Sequence, residues 1–268
     1  MLNRISVIAY NTFIEAVRDR ILYSLVLFSF LMILGSIIIT SISAEQYNKI
    51  VRDIGLTTIS LIGILISIFL GMNVVYKEIE KKTVYNIFSK PVRRFEFILG
   101  KYFGISFTLL VITVSMSLIL SLIVLYYESK YQSFIHFYYG GSFYSQYIAA
   151  IYFTYLEFLV VIAISLVFSS FSTPVMTVLF VLLAFVVGRF SADIKLFADF
   201  VKDPFVGYVS EILYRIIPHL DQFNLRSEAV HGGEISSSLI INTSGYAVLY
   251  CLALLILSIV IFEKKEFK

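Results

Sequence analysis

The chain has 268 residues, 59% of them hydrophobic and 15% charged, with a mean hydropathy of +0.89. A soluble domain of that length cannot hide so much apolar surface in one core, so lipid is the solvent this composition calls for. The net charge of +3 is too small and too scattered for a nucleic-acid binder, and the single cysteine, Cys251, excludes an internal disulfide framework and a cysteine-based zinc site.

Residues 1–20 contain Arg4, Glu15, Arg18, Asp19 and Arg20 and no uninterrupted apolar core, so they do not read as a cleavable signal peptide. Ile5, Ile8, Ala9, Phe13, Ala16 and Val17 fall near one face of a helix over 3–20. That pattern predicts an amphipathic helix lying in the cytoplasmic interface and leading into the first span. Six apolar stretches follow, at 21–43, 54–76, 102–127, 146–168, 174–190 and 242–262. Each approaches the ~20 residues a transmembrane helix needs, the fifth being the shortest. Their apolar runs are continuous rather than alternating, which favours helices over a barrel. The predicted fold is an all-α integral membrane protein forming one transmembrane domain over 1–268. It has six transmembrane helices, an N-terminal interfacial helix, a charged cytoplasmic segment at 77–101 and short external helices over 191–241, before the sixth span.

Lys and Arg set the orientation. Three lie in 1–20, seven in 77–101 and three in 263–268, against eight on the opposite side, five of which lie in or beside the long 189–241 stretch. Long translocated loops weigh little in this rule, so both termini are expected in the cytoplasm, in a multi-pass protein of the cell membrane. The loop expected at 128–145 is rich in Tyr and Phe, which suits anchoring at headgroup depth on the outer side. Pro204 and Pro218 break the 191–241 stretch into short helices that lie on or dip into the outer interface.

No phosphate-binding loop, HExxH or GxSxG motif occurs, so no catalytic residue is assigned. The three histidines, His136, His219 and His231, have no metal-ligand spacing, and no metal is expected.

The 77–101 segment is more informative. Glu78, Lys81 and Lys82 are spaced for i,i+3 and i,i+4 pairing, and Ile79, Val84, Ile87 and Phe88 supply an apolar side. Pro91 disfavours helical geometry at Lys90 and ends the first helix there. Arg93 and Arg94 follow, where lipid phosphates or a partner's carboxylates would be met, and Gly100 and Gly104 form a GxxxG that permits close helix contact. A basic loop that merely fixed topology would need neither the amphipathic helix nor the break, so the pattern points to docking of a soluble partner.

This stretch resembles the signature of permease subunits of ABC transporters of the type-2 exporter family. The residues that carry the likeness are Glu78, Glu80, Lys81, Lys82, Thr83, Ser89, Lys90, Pro91, Arg94, Phe95, Glu96, Gly100 and Lys101, and the whole chain fits the family's layout. The resemblance implies a pair of permeases, as a homodimer or heterodimer, with cytoplasmic ATPase subunits docked on the segment formed by Glu78, Glu80, Lys81, Lys82, Thr83, Ile87, Phe88, Lys90, Pro91, Arg93, Arg94 and Glu96. ATP and magnesium would then sit on the ATPase, with no cofactor in this chain and no enzyme activity of its own. The cargo is left open, and no Met- or Cys-rich stretch points to copper.

Glu157 stands apart, near the middle of the fourth span. An ionised group at that depth costs about 2.5–3.5 kcal/mol on insertion scales, so it must face protein or water. Tyr152, Thr154 and Tyr155 are its nearest candidate partners in sequence, and a role in cargo contact or gating competes with a structural hydrogen bond. Two rival readings are an ion-driven secondary transporter with Glu157 as proton carrier and a membrane-embedded enzyme. The first lacks a second mid-membrane acid and an inverted repeat, and the second lacks any acid, His or metal constellation.

Overall fold

A computed structural model describes residues 2–42, 47–80, 93–131, 136–193, 196, 207, 208, 210, 211, 214, 217–226, 230 and 235–264. Its principal helices are α1 (Leu2–Val17), α2 (Arg20–Ile42), α3 (Tyr47–Glu80), α4 (Arg94–Tyr131), α5 (His136–Ser169), α6 (Pro174–Arg189) and α7 (Ser237–Lys264), with a 3-10 helix at Leu220–Phe223. No strand occurs among the described residues.

Five of these helices, α2, α3, α4, α5 and α7, are long and apolar enough to cross a membrane. α6 is apolar but has 16 residues, which at 1.5 Å per residue gives about 24 Å against a hydrocarbon core of about 30 Å. The expected span 174–190 is therefore a short helix that ends at Arg189. α4, with 38 residues, is about 57 Å long and extends past a bilayer on both sides. Much of the loop expected at 128–145 is likewise helical, since α4 continues to Tyr131 and α5 begins at His136.

α3 and α5 form the centre. In each, 72% of the membrane-spanning window is buried, against 22%, 39% and 28% for α2, α4 and α7. Gly63 and Gly71 of α3 face Phe158 and Ser165 of α5, and the missing β-carbons let the two helices approach closely. The outer helices present Leu27, Leu31, Leu118, Leu122, Leu249 and Ile256 outward. In water such a surface would drive aggregation, whereas lipid solvates it. Buried hydroxyls in the spans are satisfied locally. Ser67 donates to the Gly63 carbonyl, Ser106 to Tyr102 and Ser165 to Val161, each one turn back, so these hydroxyls are paired within their own helices.

α1 packs along the first turns of α4. Its Thr12 and Ala16 are buried, and Phe13 meets Phe107 edge-on at 5.1 Å. The apolar face read from the sequence as lipid-seeking is thus turned largely onto protein, while Val7 and Tyr10 lie exposed on the other side. Near this end of the bundle, which we call the proximal face, α1, the start of α4 and the end of α7 meet. Close by, Ser170 in the turn before α6 hydrogen-bonds Ser258 of α7 at 3.1 Å.

Candidate functional site

Two groups of charged and polar side chains emerge, one at the proximal face and one deep in the bundle. Of the docking residues expected from the sequence, Glu78 and Glu80 close α3, and Arg93, Arg94 and Glu96 open α4. Lys81, Lys82, Thr83, Ile87, Phe88, Ser89, Lys90 and Pro91 lie outside the described residues.

The α4 end of this segment is tied down on three sides. Glu96, the third residue of α4, accepts a hydrogen bond on Oε2 from the backbone N–H of Arg93 at 3.0 Å. This is one half of a capping box and satisfies a donor the helix start would leave open. The same carboxylate is 3% exposed and lies 3.9 Å from Arg4 Nη1 of α1. Arg94 donates from Nη1 to the carbonyls of Phe262 at 2.9 Å and Glu263 at 2.6 Å. It thereby caps the C-terminus of α7, where unpaired carbonyls and the helix dipole favour a cation. Phe97 and Phe262 stack beside it at 5.7 Å. One turn further on, the buried Lys101 donates from Nζ to Glu15 Oε2 of α1 at 3.4 Å.

Gly100 and Gly104 complete the joint. A β-carbon on Gly100 would stand 2.6 Å from Cγ2 of Ile8, and one on Gly104 would stand 2.6 Å from the Ala9 carbonyl oxygen and 2.6 Å from Cβ of Thr12. The GxxxG of the sequence therefore lies against the N-terminal helix. Arg4, Glu15 and Phe262 were not singled out by sequence reading. A charge such as Glu15, set one turn from the apolar face of an amphipathic helix, was the signal available.

The second group surrounds Glu157. Its side chain is 1% exposed, and Oε1 accepts a 2.8 Å hydrogen bond from Nη1 of Arg189, the last residue of α6. The neighbours expected as partners are engaged elsewhere: Tyr155 donates to the Ser106 carbonyl at 3.1 Å, Thr154 to Ala150 at 2.8 Å, and Tyr152 meets Ser244 at 3.0 Å. Arg189 Nη1 also donates to the carbonyl of Leu220 at 3.2 Å. The sequence alone puts Arg189 at the outer edge of the fifth span. The fold instead pairs it with Glu157, at the end of α6. A charge at the end of a 16-residue apolar helix was the one hint of it.

The stretch from His219 to Arg226 packs over this pair. The backbone N–H of His219 donates to the Tyr246 hydroxyl at 3.0 Å, Ser191 donates to Asp221 at 2.8 Å, and Arg226 donates from Nη1 to Thr57 of α3 at 3.0 Å. Leu220 and Phe223 are fully buried beneath it. Gly188 permits the close approach, since a β-carbon there would stand 2.6 Å from the Pro218 carbonyl oxygen. Burial and the nearby Arg189 lower the pKa of the Arg226 guanidinium, while Glu157 and Asp53 raise it.

Both groups are built from ion pairs and hydrogen bonds that join separate helices. No curated protein sequence matches the chain. Residues 6–267, nearly the whole chain, match the family described as ABC-2 family transporter protein, and the chain belongs to that family as an ABC-2 type permease.

Proposed function

We propose that the chain is the membrane-spanning subunit of an ABC transporter, moving its cargo with ATP hydrolysed by a separate cytoplasmic ATPase. The family match over 6–267 carries this reading. The charged segment between α3 and α4 supports it, because both helices that flank that segment reach the bundle's centre or its proximal clamp. Glu78, Glu80, Lys81, Lys82 and Thr83 supply charge and polar contacts to the ATPase. Ile87 and Phe88 supply the apolar anchor, and Lys90–Pro91 sets the angle into α4. Arg93, Arg94 and Glu96 fix the segment's exit to α1 and α7. A second permease copy, identical or not, completes the pathway, with α6 acting as the fifth of six spans despite its length. Replacing Ile87 and Phe88 together with serine is expected to reduce ATPase recovery in a pull-down at least about tenfold, since buried anchors dominate such interfaces. Wild-type recovery would show that docking lies elsewhere.

Both chain termini face the cytoplasm in this reading, and α1 lies at the cytoplasmic interface with Val7 and Tyr10 toward lipid. In a Cys251→Ala background, Ser237→Cys at the start of α7 should react with a membrane-impermeant maleimide in intact cells. Reaction only after the cells are opened would invert the topology.

A further inference from the structure

We propose that the His219–Arg226 stretch is a movable lid over the distal half of the permease, latched shut by the Glu157–Arg189 pair. This goes beyond the reading above by naming where the pathway is closed on the side away from the ATPase.

The lid has the anatomy of something held rather than grown into place. Its centre is four residues of 3-10 helix, too short to be stable alone. Four hydrogen bonds fix it to the bundle, and they come from several elements. Thr57 lies on α3, Arg189 ends α6, Ser191 follows it, and Tyr246 lies on α7. Leu220 and Phe223 fill the space between these helices and exclude water from the ion pair.

The latch is electrostatic. Two guanidinium groups, Arg189 on the bundle and Arg226 on the lid, stand within each other's field, and Glu157, hydrogen-bonded to Arg189, attracts both. With Glu157 engaged, Arg189 points its remaining donor capacity at the Leu220 carbonyl and holds the lid down. Without that carboxylate, the two cations repel and the lid carries one of them away. A buried pair is an inefficient way to gain stability, since well-packed apolar residues of the same volume generally do as well or better. A pair with two states, one closed and one in which the charges find water, is the use for which such groups are best suited.

The test is thiol protection in intact cells of the native host, in a Cys251→Ala background, with Leu220→Cys as reporter and an impermeant maleimide as probe. In the closed lid Leu220 is fully buried, so labelling should be slow, and it should quicken when the cells are energised compared with ATP-depleted cells. Arg189→Gln and Glu157→Gln should label at least about tenfold faster and lose the dependence on energy, because protection follows the closed population. Arg189→Lys, which keeps the cation, should stay protected. Gly188→Val, which crowds the Pro218 carbonyl and changes no charge, should also release the lid. Labelling of the Gln variants at the wild-type rate would overturn the latch. Release in those variants without any energy dependence in the wild type would make the pair a fixed staple and overturn the movable lid. Neither result depends on ATPase pull-down, so a failure of docking at Ile87 and Phe88 would sink the ABC coupling scheme and leave the lid standing.

Discussion

Glu157→Leu is expected to lower the stability of the folded protein by about 3–5 kcal/mol, the usual cost of leaving one member of a buried ion pair alone. The carboxylate is 1% exposed and its partner's side chain 16% exposed, so water cannot replace the missing charge without opening the bundle. Glu157→Gln retains an acceptor at the same place and loses only the charge, and about 1–2 kcal/mol is expected there. The decisive comparison is the double variant Glu157→Leu/Arg189→Leu. Removing both charges should recover much of the loss, leaving a coupling energy of roughly 2 kcal/mol or more between the sites. Unfolding in mixed micelles, followed by helical signal against denaturant, measures all four forms. Additive losses would mean that Arg189 and Glu157 touch without sharing energy. The same variants in reconstituted membranes should lose cargo-stimulated ATP hydrolysis in the partner. If Glu157→Leu left both stability and hydrolysis unchanged, the residue would be a tolerated passenger.

This pair also shows what the amino-acid sequence makes legible and what it hides. The all-helical membrane architecture follows from continuous apolar runs, and α2, α3, α4, α5 and α7 overlap the stretches at 21–43, 54–76, 102–127, 146–168 and 242–262. Composition and length suffice for that, because backbone groups in lipid have few other ways to be satisfied. The cost of Glu157 was equally visible, since a charge in a span demands an explanation wherever it is found. Its partner was not visible. Arg189 is 32 residues away, at the end of a helix whose apolar count made it look like a nearly complete span. Hydropathy counts residues and does not record where a helix stops in depth, so a cation pulled inward by a single acid looks like one at the surface. The same blindness applies to α1. Its amphipathic pattern predicts an apolar face without saying whether lipid or another helix will cover it. Here α4 covers most of it, because Gly100 and Gly104 open a groove of the right depth.

In the scheme proposed above, the two ends of the molecule have complementary tasks. At the proximal face, Arg94 joins the exit of the charged segment to the last turn of α7, while Glu96 and Lys101 join it to α1. A push on that segment therefore reaches α4, α1 and α7 together. α7 in turn carries Tyr246, whose hydroxyl holds His219 at the lid. One helix thus touches both the proximal clamp and the His219–Arg226 stretch, and in the proposed scheme it is the element that links them.

The second large effect is expected from Gly104→Val, which attacks the proximal clamp without touching a charge. A β-carbon at this position would lie 2.6 Å from the backbone oxygen of Ala9, and no side-chain rotation relieves a clash with backbone. α1 must therefore move off α4. That separation pulls Lys101 from Glu15 and Arg4 from Glu96, and it spreads the Phe13–Phe107 contact. Overpacking of this kind costs about 1–3 kcal/mol, and the loss of the buried lysine's acid adds to it. Gly104→Ala should show the same sign with a smaller magnitude, since only one methyl has to be accommodated. The ATPase should still bind, because Ile87 and Phe88 are unaltered, yet its hydrolysis should no longer respond to cargo once α4 has lost its splint. Thermal unfolding in nanodiscs gives the stability change, and pull-down with ATPase assay separates binding from coupling. Full coupling in a Gly104→Val protein that binds its ATPase normally would show that α1 is an anchor and takes no part in transmitting the stroke.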